Sequence, residues 1–99
     1  MNIKLKDDST DRLFDGILKL QTIDECYAFF EDVGTIPEMK AFAQRFDVAK
    51  MLTEHKTYKE IHDKTGASEA TISRVSRALH YGADGYRLVL ERLGFVVSE

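Results

Sequence analysis

Short polar side chains and two arginines alternate with apolar residues in one short run in the second half of the chain, from Gly66 to Leu79. Its sequence is G-A-S-E-A-T-I-S-R-V-S-R-A-L. Short side chains can approach the edges of nucleic-acid bases, and arginine can pair with phosphate or with guanine. We therefore take seven residues of this run as candidate base or phosphate contacts: Ser68, Glu69, Ala70, Thr71, Ser73, Arg74 and Arg77.

Local signals predict that this run forms the second of two short helices. Thr57 and Glu60 make a T-x-x-E capping box that starts the first helix. Gly66 suits the left-handed residue that ends it, and Ser68 suits the N-cap of the next helix. The pattern is that of a helix-turn-helix over residues 57–80, whose second helix is shaped to lie in the DNA major groove.

The apolar residues of the motif are spaced for one buried face. Ile72, Val75 and Leu79 are separated by three and four positions, so they lie on the same side of a helix. We expect this side to pack on Ile61 of the first helix, which leaves the polar and basic residues on the opposite side.

The charge of the chain is distributed unevenly. The formal net charge is −3, which by itself argues mildly against binding to nucleic acid. Residues 50–80, however, hold 6 Lys/Arg against 4 Asp/Glu, whereas residues 1–49 hold 6 against 10. The positive surplus therefore lies on the motif but is small, and we expect a single copy to bind DNA weakly.

The remaining segments also have helical signals, and no segment alternates in the way a half-buried strand does. A first helix is expected after Ser9 or Thr10, and T-x-x-E boxes at Thr22 and Thr35 open two more helices. We predict an all-α chain of about six helices in a single domain, residues 1–99. Its parts are N-terminal dimerisation helices (1–34), a long central helix (35–56), the helix-turn-helix (57–80) and a C-terminal helix (84–94).

The first two helices are rich in Leu, Ile and Phe. They could form a hairpin within one chain, or they could pack against a second copy. A motif with few cations gains from a second copy that presents another reading helix about one DNA turn, roughly 34 Å, away. We therefore interpret the N-terminal half as a homodimer interface.

Other kinds of site are poorly supported. The three histidines are 7 and 18 positions apart, so they form no metal-binding pair on a helix, and we expect no metal, cofactor or catalytic residue. Cys26 is the single cysteine and is expected to be a buried, inert thiol. The N-terminus is polar, and no apolar run approaches the roughly 20 residues of a membrane span. We therefore expect a cytoplasmic protein with no membrane partner.

The segment from Met39 to Leu79 resembles the Trp repressor superfamily, and in particular its YerC/YecD branch. The most specific part is the sequence A-T-I-S-R, from Ala70 to Arg74, which opens the reading helix. The resemblance implies an all-helical, intertwined homodimer that regulates transcription. It also implies that Lys59 and His62 face DNA.

The resemblance does not extend to the tryptophan corepressor. In the tryptophan-binding member the residue after the reading-helix arginine is glycine, which leaves room for the ligand, but here it is Val75. In a gapless register, the arginine expected from the preceding helix falls at Gln44, with Arg45 one position away. We therefore expect tryptophan not to bind.

Two functional hypotheses follow from the sequence. The first is a sequence-specific DNA-binding transcriptional regulator that acts as a homodimer on double-stranded DNA. The second is a protein-interaction module that uses the helix-turn-helix to contact a protein partner. The local cationic surplus favours the first hypothesis, and the net negative charge favours the second.

Overall fold

The structure is a computed structural model that describes residues 3–97. The ends of the predicted domain, residues 1, 2, 98 and 99, lie outside the described residues. Within 3–97 the chain forms six α-helices and no strand, which confirms the predicted all-α class. In chain order they are α1 (Asp8–Ile17), α2 (Ile23–Val33), α3 (Ile36–Thr53), α4 (Tyr58–Thr65), α5 (Glu69–Tyr81) and α6 (Gly85–Arg92).

The first helix begins earlier than the sequence suggested. Asp7, rather than Ser9 or Thr10, is the N-cap of α1, and its Oδ1 accepts a hydrogen bond of 2.7 Å from the amide of Thr10. Lys6 adds an ion pair with Asp11, at 2.7 Å between Nζ and Oδ2. Two acidic residues near the start of the chain, Asp7 and Asp11, thus serve in helix capping and in a surface ion pair.

The three predicted capping boxes differ in detail. Those at Thr35 and Thr57 are complete, because the hydroxyl accepts from the glutamate amide and the glutamate accepts from the threonine amide. At Thr22 the hydroxyl caps α2 in the same way, at 3.1 Å. Glu25, however, accepts from the amide of Gln21, one residue earlier than the box requires.

The central helix is shorter than the expected segment 35–56. It runs from Ile36 to Thr53. His55 has a φ of 59°, in the left-handed region, so the helix cannot continue through it.

The chain divides into two compact units, residues 3–40 and 41–97. The second unit contains a buried core to which α3, α4, α5, α6 and the turn between α4 and α5 all contribute. Complete burial of an aliphatic side chain contributes roughly 1.5–3 kcal/mol to stability, so burial of the core residues stabilises the unit. Its buried members are Val48, Ala49, Ile61, Ala67, Ile72, Val75, Leu79, Leu90 and Val97.

The unit formed by residues 3–40 is different, because neither α1 nor α2 contains a buried residue. Its apolar side chains are partly or largely exposed, and the exposed fraction is 80% at Leu18 and 75% at Ile23. Phe29 and Phe30 are half-buried, with their rings edge to face at 5.3 Å between centroids. Cys26 is exposed, so the prediction of a buried thiol is wrong for this chain.

Among residues 3–97 we find no helix with both the length and the apolar character needed to cross a membrane.

Candidate nucleic-acid interface

The turn between α4 and α5 is built by local backbone chemistry. Gly66 follows α4 with a φ of 75°, the left-handed conformation that glycine adopts at least cost. The Thr65 hydroxyl donates to the carbonyl of Ile61 at 2.7 Å and accepts from the amide of Ala67 at 3.1 Å. Ala67 is buried, so the chain passes from one helix to the next against the core.

His62 braces the same turn. Its Nδ1 lies 2.8 Å from the carbonyl oxygen of Ala67. A carbonyl can only accept, so Nδ1 carries the proton and donates. In the neutral ring Nε2 is then an acceptor, and His62 can donate to a phosphate only when it is protonated.

Ser68 positions the start of α5. Its Oγ accepts from the amide of Thr71 at 3.1 Å, which makes it the N-cap predicted from the sequence. The same hydroxyl donates to Thr71 Oγ1, also at 3.1 Å. The Thr71 hydroxyl proton therefore remains available to donate to another acceptor.

Helix α5 has one buried and one exposed side. Ile72 and Val75 are at most 1% exposed, and Leu79 is also buried, as the spacing predicted. The candidate contacts on α5 divide into an exposed group and a half-buried pair, Thr71 and Ser73. The exposed group consists of Glu69, Ala70, Arg74 and Arg77.

Helical spacing shows which of these candidates share a surface. Ala70, Arg74 and Arg77 are separated by four and three positions, and Ser73 lies four before Arg77. These four residues form a continuous strip opposite the buried side, which we call the α5 strip. Thr71 lies four before buried Val75, so it sits at the margin of the strip.

Helix α4 contributes a mixed surface. Lys59 is exposed, and its Nζ is 2.8 Å from Asp63 Oδ2 one turn further along the helix. Glu60 on the same helix accepts from the amide of Thr57, and hydrogen bonding to Thr57 lowers the pKa of its carboxyl group. The cationic surplus seen in the sequence is therefore partly neutralised within α4 itself.

Gln44 of α3 also contacts the turn, which the sequence analysis did not foresee. Its Nε2 donates to the carbonyl oxygen of Thr65 at 3.1 Å in a partly buried position. Twenty-one positions separate the two residues, so no local sequence signal could have paired them.

A cluster that could hold a metal ion would need at least three His, Cys, Asp or Glu side chains together. The part of the chain that the structure describes, 3–97, has no such cluster.

Comparison with known proteins places this geometry in a family. The family model described as Trp repressor protein matches residues 8–94. The chain belongs to the Trp repressor family. The match includes all six helices of the described chain and every candidate contact.

Individual relatives agree with this assignment. The chain is 51% identical over 90 residues to the uncharacterized protein YerC of Bacillus subtilis (strain 168), and the alignment covers 91% of this chain and 86% of YerC. The crystal structure of a TrpR-like protein from Eubacterium eligens ATCC 27750 is 57% identical in sequence, with a TM-score of 0.88. The match covers 96% of this chain and 97% of the crystallised chain. A solved chain from Staphylococcus aureus is 44% identical, with a TM-score of 0.89, and the match covers 95% of this chain and 94% of the solved chain. The resemblance inferred from the sequence is thus confirmed at the level of the family and the YerC type.

Proposed function

We propose that this member of the Trp repressor family is a sequence-specific DNA-binding transcriptional regulator that acts as a homodimer. The observation that carries the proposal is the α5 strip, in which Ala70, Ser73, Arg74 and Arg77 stand opposite a fully buried apolar side. A helix whose apolar side is buried in the core, and whose exposed side carries small and cationic residues, suits entry into the major groove.

Within the strip we assign two kinds of contact. Ala70 and Ser73, with Thr71 at the margin, are short enough for close approach to base edges. Arg77 and Lys59 are assigned to phosphates, and Arg74 can serve either purpose. Ser68 and Glu69 lie at the N-terminal end of α5, where the helix would enter the groove.

Exposed apolar surface in residues 3–40 supports the homodimer. Two N-terminal helices with no buried residue have little to stabilise them alone, because most helical stability comes from packing of an apolar face. Large exposed apolar patches commonly mark protein–protein contacts. The exposed apolar residues of this unit include Leu18, Ile23, Tyr27, Val33 and Ile36.

Tryptophan is not part of the proposal. Val75 is 1% exposed and belongs to the core, so its side chain fills space where the tryptophan-binding member has glycine. The amide of Gln44 is already bonded to the turn. We infer that DNA binding needs no tryptophan and no other cofactor. The relatives are bacterial, so we place the protein with the chromosome in the cytoplasm.

The alternative function is a protein-interaction module. Two observations favour it: the net charge of −3, and the ion pair by which Asp63 neutralises Lys59. Both reduce attraction to a polyanion, and neither would hinder contact with a protein.

Selection of bound sequences from a random duplex DNA pool tests the proposal. We expect the protein to enrich two half-sites about one helical turn apart, as a two-fold dimer requires. The double variant Arg74→Ala/Arg77→Ala is the matched control and should enrich nothing. If the protein enriches no sequence and does not retard genomic DNA at low salt, the proposal fails and the interaction module is favoured.

A further inference from the structure

One hydrogen bond joins the central helix to the end of α4. Gln44 on α3 donates from Nε2 to the carbonyl oxygen of Thr65, the last residue of α4, at 3.1 Å. The last four carbonyls of a helix have no partner within that helix. Gln44 therefore satisfies an acceptor that the helix itself cannot satisfy, in a partly buried position where an unpaired acceptor is costly.

The amide of Gln44 also lies against the glycine of the turn. A Cβ placed on Gly66 would come 4.0 Å from Gln44 Nε2, which is ordinary van der Waals contact. The bonds made by Thr65 and His62 join residues of α4 and the turn to one another. The bond from Gln44, in contrast, joins the turn to α3.

The turn leads directly into the reading helix. Ala67 is buried immediately after Gly66, and Ser68 then caps α5. A shift of the turn relative to α3 would therefore move the start of α5. Contacts to base edges depend on that position more strictly than contacts between long arginine side chains and phosphates do.

We propose that Gln44 is a positioning residue, which acts through the Thr65 carbonyl to fix where α5 begins relative to α3. The consequence for DNA rests on the function proposed above, but the consequence for the turn does not. Because the hydrogen bond from Gln44 to Thr65 lies within the chain, it positions α5 without a bound small molecule.

Two variants separate a positioning role from simple packing. Gln44→Met keeps the length of the side chain and removes the donor. Gln44→Glu keeps the shape but sets a carboxylate against the Thr65 carbonyl, so two acceptors face each other. If packing alone matters, the near-isosteric Glu is the milder change. If donation matters, Glu is the more damaging. Asp47→Asn, an exposed position on the same helix, is the matched control.

The first measurement is amide hydrogen exchange, which does not require DNA. We expect exchange at the hydrogen-bonded amides of Gly66 and Ala67 to rise about 2- to 10-fold in Gln44→Met, as for loss of one hydrogen bond, and further in Gln44→Glu. Core amides of α5 and the Asp47→Asn control should be unchanged. Equal acceleration across the whole chain, or no change at the turn, would overturn the proposal.

The second measurement is DNA affinity of Gln44→Met, made once a preferred site has been selected with the wild-type protein. We expect affinity for that site to fall about 2- to 10-fold, with affinity for unrelated DNA changed less than about twofold. An equal loss for both DNAs would contradict positioning. If the wild-type protein selects no site, the proposed function fails, and the exchange experiment still decides the role of Gln44.

Discussion

Lys59 and Asp63 form an ion pair across one turn of α4, with 2.8 Å between Nζ and Oδ2. Both side chains are well exposed, at 85% and 57% of their surface, so the pair adds little to stability. The pair instead changes the local electrostatic potential. Lys59, which we assign to phosphate, is accompanied by the carboxylate of Asp63, and that carboxylate repels phosphate.

Replacement of this anion should strengthen binding to any DNA. In Asp63→Asn we expect affinity to rise about two- to threefold at low salt, because a unit charge about 7 Å away in water is worth roughly 0.6 kcal/mol. The gain should shrink as salt is raised. Fluorescence anisotropy at several salt concentrations measures both effects.

The matched control is Glu91→Gln, which removes an exposed carboxylate from α6. It should have a smaller effect than Asp63→Asn. An equal gain in both variants would show that only the net charge of the chain matters.

Two changes on α5 should have different consequences for DNA recognition. Arg77→Ala should weaken binding to all sequences similarly and lower the salt slope by about one unit, because a phosphate contact carries no sequence information. Ser73→Ala should instead change which base is preferred, by roughly 1–3 kcal/mol per mismatched pair. Repeated site selection with each variant, combined with salt titrations, distinguishes the two.

Thr71→Ala needs separate treatment, because the Thr71 hydroxyl also accepts from Ser68 at the helix cap. If Thr71→Ala and Ser73→Ala both leave the base preferences unchanged, α5 does not read the groove as proposed.

Assembly can be tested at an exposed apolar residue of α2. Ile23 is 75% exposed and is the first residue of its helix, where an acidic side chain is favourable. We therefore expect Ile23→Glu to leave the helix intact and to dissociate the homodimer, since a carboxylate in an apolar contact costs several kcal/mol. Sedimentation at micromolar concentration measures the oligomeric state.

Lys19→Glu, at an exposed polar position of the same unit, is the control and should remain a dimer. A well-folded wild-type monomer at these concentrations would contradict the proposed interface. Phe29 and Phe30 are less suitable targets because their half-buried rings contact each other within the unit.

Acidification should destabilise the fold through its helix caps. Hydrogen bonds from Thr10, Thr35 and Thr57 lower the pKa values of Asp7, Glu38 and Glu60 respectively. Carboxyl groups with a depressed pKa in the folded state stabilise it above their ordinary values of 3.8 and 4.5. This contribution is lost as the pH falls through the folded pKa values. Thermal unfolding midpoints should therefore decrease below about pH 4.5.

The double variant Glu38→Gln/Glu60→Gln provides the control, because glutamine can still accept the capping bonds but does not titrate. Its unfolding midpoint should fall less steeply with acidification than that of the wild-type protein. Parallel curves for the two proteins would assign the acid sensitivity to other groups.

Calorimetric titration with L-tryptophan should give no binding in the micromolar range, because Val75 is buried in the core and we propose that it fills the space the ligand would need. Micromolar binding would overturn this expectation and would require Val75 to move.

Local signals within a few positions determined most of the helix-turn-helix. The Thr57–Glu60 box, Gly66 and Ser68 fixed where α4 begins and ends and where α5 begins, because each cap joins groups at most four residues apart. The spacing of Ile72, Val75 and Leu79 likewise identified the buried side of α5.

Only the tertiary structure showed which polar groups are already engaged and which surfaces are covered. The bond from Gln44 to Thr65 joins residues 21 positions apart, so it depends on how α3 packs beside the turn. The burial of Ala67 and the exposure of Cys26 depend in the same way on packing between helices. The hydrogen bonds of a helix cap form between residues a few positions apart, so a short stretch of sequence specifies them. The burial of a side chain depends on packing against residues that are distant in sequence.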